Sequence, residues 1–291
     1  MPPQAPGPSP LPLTLMAVHA HPDDEATSTG GLLARCADEG VRTVLVTCTN
    51  GEVGEIADPL LATPEVLAEV RLGELRESCE ILGVRELHLL GYRDSGMAGT
   101  ADNDHPESFH RADLDEATGR LVALVRRFRP QVLVTYDENG FYGHPDHIRA
   151  NQVTAAAFEA AADPARYPEA GSPWTPLKLY YAAIPHSRMR RFGQRMMQAG
   201  IEPPFEMDED SPPPMGVPDE QVTTWLDVSP QVERKRRALA AHRTQMGPEV
   251  FFSKLPPELF DDLFGQECFS LVRSRVPAPQ REEDLFAGLR V

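Results

Sequence analysis

The sequence predicts an α/β fold, a Rossmann-like and mostly parallel sheet with helices on both faces. Three observations carry this expectation. Short apolar runs rich in Val, Leu and Thr alternate with segments of helical period, glycines punctuate the ends of those segments, and the tripeptide His-Pro-Asp occurs twice, each time just beyond one of the runs. Strands and helices in such alternation pair in parallel through right-handed crossovers.

In chain order, residues 1–12 are Pro-rich and uncharged, the composition of a disordered tail. Residues 13–18 read as the first strand, 30–39 as a helix closed by Gly40, and 42–48 as the second strand. A polar loop through Asn50, Glu52 and Glu55 leads to a long helix that Pro64 opens and Gly83 ends. A third strand at 86–90 precedes a Gly/Asp-rich loop from Tyr92 to Arg111. Then come a helix over 114–128, a strand over 132–135 and a helix over 146–162. Beyond it the pattern gives a strand near 178–183, an amphipathic helix near 188–198 and a Pro-rich acidic loop over 202–219. A strand near 222–228, a helix near 231–244 and a final strand near 268–273 complete the chain. Residues 13–291 thus form one domain, whose part from 184 onward walls the active site or makes an oligomer contact.

A chain of 291 residues with 41% apolar content can bury the core this domain needs. Its net charge of −16 argues against nucleic acid and anionic membrane as partners, because both reward clustered Lys and Arg. Cys36, Cys48, Cys79 and Cys268 show no C-x-x-C spacing and read as buried free thiols, which places the protein in a reducing cytoplasm. Residues 13–20 are apolar enough for the core of a signal peptide, but no basic residue precedes them and no run reaches membrane-spanning length.

The two tripeptides continue as His21-Pro22-Asp23-Asp24-Glu25 and His144-Pro145-Asp146-His147. Chance composition gives roughly 0.06 copies of His-Pro-Asp in a chain like this, so two in matching contexts point to a shared task. Turn and helix-capping chemistry would account for one copy. Two copies, at the tips of two strands, suit a catalytic metal centre with three protein ligands and an open position. The economical set is His21, Asp24 and His147, two histidines and a carboxylate that fit Zn²⁺ and also Fe²⁺. Asp23 and His144 are left beside the open position, where amide hydrolysis needs a base and a proton donor. Asp23 is placed to be the base, and a protonated His144, its ring held by Asp146, to stabilise the oxyanion and serve the leaving amine. Neighbouring carboxylates are expected to raise the pKa of His144.

With these motifs and their spacing in view, the chain resembles the PIG-L/LmbE family of metal-dependent N-deacetylases. The likeness runs from about Leu15 to Phe286 and rests on residues 17–25, 47–55, 93–100, 135–147 and 241–245, of which the first and fourth stretches are the specific ones. It implies zinc or ferrous iron on His21, Asp24 and His147, the base at Asp23 and the oxyanion partner at His144, which coincides with the assignment from spacing. It further implies that Arg71 and Asp94 contact hydroxyls of an acylated amino sugar or its aglycone, that Glu55 lies at the pocket mouth, and that Tyr142 swings over the acyl group. Two branches are open. Residues 94–99 and the small Ser28 look like the deacetylases of N-acetylglucosaminyl-inositol; residues 136–139, 148–149 and the tail over 271–277 and 285–288 look like the mycothiol S-conjugate amidases. An acylated glucosaminyl malate is a third substrate type, and Phe141 stands where both branches commonly carry Gly.

Other classes find less in the sequence. A non-catalytic Rossmann-like ligand-binding protein would bring a G-x-G-x-x-G turn after the first strand, and none is there. A serine hydrolase would bring a G-x-S-x-G elbow, also absent. Of the remaining histidines, His19 reads as a buried neighbour of the first motif, His242 as one that can approach the pocket, and His105 as a loop residue.

Overall fold

The computed structural model describes residues 12–205, 211–248 and 250–290, so the expected tail lies outside it apart from Pro12, as does part of the acidic loop. Seven strands form one sheet in the order β3-β2-β1-β4-β5-β7-β6. These are β1 Thr14–His19, β2 Arg42–Thr49, β3 Glu86–Tyr92, β4 Val132–Thr135, β5 Lys178–Ala183, β6 Thr224–Asp227 and β7 Gln266–Ser274. The first five run parallel, and β7 is antiparallel to both β5 and β6. The expected mostly parallel sheet is therefore present, with its antiparallel edge built by the C-terminal part.

The helices are α1 Asp24–Ser28, α2 Gly30–Asp38, α3 Leu67–Leu82, α4 Leu114–Phe128, the single turn α5 Gly140–Gly143, α6 Pro145–Ala160, α7 His186–Gln198, α8 Val232–Ala241 and α9 Pro257–Phe264. Gly83 closes α3 with φ 76°, the left-handed conformation that a glycine adopts without penalty. Pro64 does not open that helix: residues 64–66 form a turn and helical geometry begins at Leu67. α4 starts where Asp113 accepts a hydrogen bond from the Glu116 amide at 2.9 Å.

Alternation along the strands builds two cores. Leu15 and Ala17 face a cluster with Leu33, Leu75 and Leu239, on the side of α2, α3 and α8. Met16 and Val18 face the other, with Leu121, Val125 and Val153, on the side of α4 and α6. Each such Leu or Val contributes about 1.5–3 kcal/mol by leaving water, so β1, buried throughout, is the fixed axis of the molecule.

Strand order reverses between β1 and β4, since β2 and β3 lie to one side and β5 to the other. Open α/β sheets bind ligands at the carboxyl ends of the strands at such a switch point. Both His-Pro-Asp motifs begin there, two residues after β1 and nine after β4.

Candidate metal and catalytic site

The first motif turns immediately after β1. Asp23 adopts φ 114°, a left-handed conformation unusual for a residue with a Cβ, and this turns Asp24 back toward His21. The His21 amide donates to Asp24 Oδ2 at 2.8 Å, and Tyr136 Oη donates to the same oxygen at 2.7 Å while accepting the Ala20 amide at 2.8 Å. Tyr136, buried completely, thus locks the carboxylate from just beyond the carboxyl end of β4.

The second motif is the N-terminus of α6. Pro145 occupies the first helical position, where its missing N–H costs nothing. His144 caps the helix, its Nδ1 accepting the Asp146 amide at 3.2 Å. The expected oxyanion residue is therefore also the helix cap. With Nδ1 as acceptor the proton lies on Nε2, so His144 offers the site a donor rather than a lone pair.

His21 Nδ1 lies 3.3 Å from Asp24 Oδ2 and 3.3 Å from His147 Nε2, and His147 Nε2 lies 3.5 Å from Asp24 Oδ1. A tetrahedral ion with bonds of about 2.0–2.1 Å separates its ligand atoms by about 3.3–3.4 Å, so the three side chains converge at the spacing such an ion requires. All three are buried. His147 is stacked on Tyr136 with ring centroids 4.1 Å apart, and burial pushes its pKa down to about 3, leaving it neutral. Burial opposes protonation of His21 too, but Asp94, Asp146 and Asp24 outweigh it and hold its pKa well above the usual value. Two further groups fall within metal-ligating reach, His21 with His144 and His147, and His21 with Asp94 and Asp146.

Asp146 is placed otherwise than expected. Its carboxylate does not hold the His144 ring; it accepts from His21 Nε2 at 3.2 Å, from the Ser95 amide at 2.8 Å and from the Ser95 hydroxyl. Only its backbone amide reaches His144. The pattern is the one metal-binding histidines show, one nitrogen toward the ion and the other donating to a carboxylate. His144 also departs from expectation: burial and then the charge of His21 lower its pKa, against the carboxylates expected to raise it.

Arg71 is 3% exposed. Its guanidinium donates to Pro22 O at 2.6 Å, Gly51 O at 2.8 Å and Asp23 Oδ2 at 3.1 Å, so it anchors the Asp23 carboxylate. Asp23 nevertheless has its pKa raised to about 6, because burial outweighs Arg71. Asp94 lies 3.6 Å from His21 Nε2 and accepts the Gly96 amide at 2.8 Å; burial would raise its pKa, but His21 holds it far below the usual carboxylate range. Tyr142 is half exposed, its ring 5.2 Å from that of His147. Glu55 is exposed and tied through its carbonyl, which accepts from Gln245 at 3.0 Å. Glu52 comes nearer the cluster, accepting the Asp94 amide at 3.1 Å.

The supporting roles of Glu25 and Ser78 escaped the sequence reading, whereas His242 and His19 lie near the motif as expected. Glu25 accepts the Asp23 amide at 3.0 Å, Ser78 Oγ at 2.5 Å and His242 Nε2 at 2.8 Å. His242, buried completely, so approaches the site through Glu25, and His19 is buried against Thr29 Oγ1 at 2.9 Å. The repeated use of one motif was visible in the sequence; the partners of Glu25, on α3 and α8, carry no local signal.

This geometry agrees with the family comparison. Residues 16–158 match the profile of PIG-L, described as GlcNAc-PI de-N-acetylase. Among curated relatives, the 1D-myo-inositol 2-acetamido-2-deoxy-alpha-D-glucopyranoside deacetylase of Geodermatophilus obscurus is 46% identical over 286 residues, covering 94% of this chain and 97% of that one. The chain belongs to the PIG-L family. The enzyme of the same name from Streptomyces avermitilis is 45% identical, with 94% and 97% covered. Among solved structures, N,N'-diacetylchitobiose deacetylase from Pyrococcus horikoshii aligns with TM-score 0.63 at 20% identity, over 89% of this chain and 83% of that one, a likeness of fold. The chain is accordingly an N-deacetylase, a hydrolase of amide bonds. Its four cysteines are free and buried, and no helix among the described residues is long and apolar enough to cross a membrane.

Proposed function

We propose that this PIG-L enzyme is a metal-dependent hydrolase that removes the acyl group from the amine of a glucosaminyl small molecule, of the N-acetylglucosaminyl-inositol type. The observation that carries the reading is the convergence of His21 Nδ1, Asp24 and His147 Nε2 at 3.3–3.5 Å, with the far nitrogen of His21 already bonded to Asp146. This donor set fits zinc and ferrous iron. When bound, such an ion would polarise the acyl oxygen and acidify a water.

The chain's own residues supply the remainder. Asp23, with its pKa near 6, is an efficient base around neutral pH, and Arg71 and Glu25 fix it from the carboxylate side and the amide side. His144, neutral because burial disfavours the imidazolium, presents Nε2–H to the developing oxyanion as a hydrogen-bond donor and keeps its proton. The proton that the departing amine takes is the one Asp23 removed from water. Tyr142, half exposed beside His147 and His144, is placed to cover the acyl group. Asp94, next to His21, orients the sugar or its aglycone.

The overall identity of 46% to the inositol-glycoside deacetylase favours that branch over the conjugate amidases. The test is incubation of the zinc- or iron-loaded protein with N-acetylglucosaminyl-inositol, N-acetylglucosaminyl-malate and a mycothiol conjugate, with release of free amine as readout. The inositol glycoside should turn over fastest. Hydrolysis of the conjugate alone would transfer the chain to the amidase branch, and no amine from any of the three would reject the reading.

A further inference from the structure

Tyr136 stands where the two His-Pro-Asp motifs meet. It follows β4 directly, and its side chain is completely buried. Its phenol oxygen accepts the Ala20 amide at 2.8 Å, and since a carboxylate can only accept, the single phenol proton lies toward Asp24 Oδ2 at 2.7 Å. The same Oδ2 accepts the His21 amide at 2.8 Å. One hydroxyl therefore fixes both the backbone that enters the first motif and the carboxylate that the motif presents.

The ring serves the second motif. His147 lies nearly parallel to it, with centroids 4.1 Å apart and 13° between the planes. Phe141 and His19 meet the same ring edge-on, each at 5.4 Å, and Phe141 also lines a mainly apolar cavity of about 420 Å³ beside the site. Asn151, one helical turn beyond His147 on α6, donates to the Tyr136 carbonyl at 2.8 Å, so the helix that carries His147 is tied to the residue on which that ligand is stacked. Side chains packed in this way have no free volume into which to rotate.

A ligand binds its ion more tightly when it is held in place before the ion arrives, because ordering it then costs nothing on binding. Asp24 and His147 belong to different motifs, and Tyr136 holds one by a hydrogen bond and the other by a stack. His21 is supported separately, through Asp146. Buried as it is, and with its proton committed to Asp24, Tyr136 touches no substrate.

We propose that Tyr136 is a positioning residue that sets the affinity of this centre for its metal, holding Asp24 through its hydroxyl and His147 through its ring. The proposal rests on the metal-dependent reading given above and deepens it.

The experiment strips the full-length protein of metal and titrates Zn²⁺ in competition with a chromophoric chelator, comparing the parent with Tyr136→Phe. Phenylalanine keeps the ring on His147 and removes only the hydroxyl. Partners of metal ligands are worth about 10–100-fold in affinity, so Kd should rise by that factor. Urea unfolding of the metal-free and zinc-loaded forms runs beside it. The gap between the two forms follows the logarithm of metal concentration over Kd, so a positioning role narrows the gap in the variant. A merely structural role lowers both forms alike and leaves Kd unmoved, and that result in a folded Tyr136→Phe protein would overturn the proposal while leaving the metal centre intact. If Tyr136→Phe does not fold, Phe141→Gly takes its place, because glycine adopts the φ of 65° found there without strain. Loss of that buttress should raise Kd by about two- to tenfold, the worth of one aromatic contact, and an unchanged Kd would overturn the proposal. Should the parent protein bind neither zinc nor ferrous iron, the metal-dependent reading and this one fall together.

Discussion

Replacing Arg71 by Met separates two roles that the sequence leaves entangled, contact with substrate and support of the base. The guanidinium is buried and bonds to Pro22 O at 2.6 Å, Gly51 O at 2.8 Å and Asp23 Oδ2 at 3.1 Å. Methionine fills the space but donates nothing, so a buried carbonyl and a carboxylate lose their partner. Removing one member of a buried ion pair costs about 3–5 kcal/mol. The lower end applies here, because the Asp23 side chain retains 21% exposure and Gly51 O keeps the Gly54 amide at 3.3 Å. Urea unfolding should therefore show a loss of about 3 kcal/mol. A base displaced by even about an ångström costs roughly a hundredfold in rate, so kcat should fall by that order while KM and bound metal change little. Gly54→Ala gives an independent check with the charge intact, since a Cβ there would lie 2.3 Å from Arg71 Nη1 and force the guanidinium aside. It should reproduce the fall in kcat. A raised KM with parental kcat in Arg71→Met would refute the reasoning and return Arg71 to the substrate.

Other outcomes follow from the same geometry. His21→Ala should remove bound metal and activity together, whereas Asp146→Asn should weaken metal affinity by about 10–100-fold without abolishing it, as read by chelator competition; equal loss in both would place Asp146 among the ligands. Asp23→Asn and His144→Ala should each keep stoichiometric metal and lose about two to four orders of magnitude in kcat, and a metal-free His144→Ala protein would make that residue a ligand. The buried Glu25–His242 pair should contribute a pH-dependent share of stability. Burial opposes both charges, yet mutual attraction lowers the Glu25 pKa from 4.5 and raises that of His242 from 6.5. The Glu25 share is present above its unfolded value and lost on acidification; the His242 share is present below its unfolded value and lost as pH rises through the folded one. His242→Gln should therefore destabilise most at about pH 5–6 and least at about pH 9 in denaturation series, and a constant difference would show that the pair is held neutral.

Much of this was legible in the sequence for a definite physical reason. Where local pattern and tertiary role coincide, as in residues 114–128, 132–135 and 178–183, the expected and observed elements share their limits. The convergence of His21, Asp24 and His147 was legible because one chemistry was written twice. The role of Asp146 was misread because spacing says which side chains are near in the chain, while the His21 ring that Asp146 holds arrives from a different strand 125 residues away. The bonds of Arg71 to Pro22, Gly51 and Asp23 were hidden for a related reason. A lone Arg in a helix gives no sign of its burial, and what encloses it is the pair Gly51 and Gly54, whose missing side chains make room for the guanidinium. The short helix α9 lay in residues 251–264, which the pattern left without an element, although Pro257 and the apolar residues at 259, 260, 263 and 264 fit a one-sided helix start.

The site is also where backbone strain is concentrated. Among the described residues, positive φ outside glycine occurs at Asp23, Arg129, Phe141 and Tyr167, and two of these four, Asp23 and Phe141, lie in the loops that bring His21, Asp24 and His147 together. Such a conformation costs on the order of 1–3 kcal/mol and persists only where surrounding bonds over-determine it. At Asp23 the bonds are visible: Glu25 holds the amide, Arg71 the carboxylate, and Ser78 and His242 hold Glu25. At Phe141, φ 65° is the geometry for which a glycine would be the unstrained choice, and Asp137 Oδ1 fixes it by accepting the Phe141 amide at 3.0 Å. The ring this retains packs edge-on to Tyr136 at 5.4 Å and forms part of the apolar cavity wall. A side chain kept at such a position is worth its strain only if the ring contributes something a glycine cannot. The contribution it makes here is apolar surface in the cavity wall, packed against the tyrosine that holds Asp24.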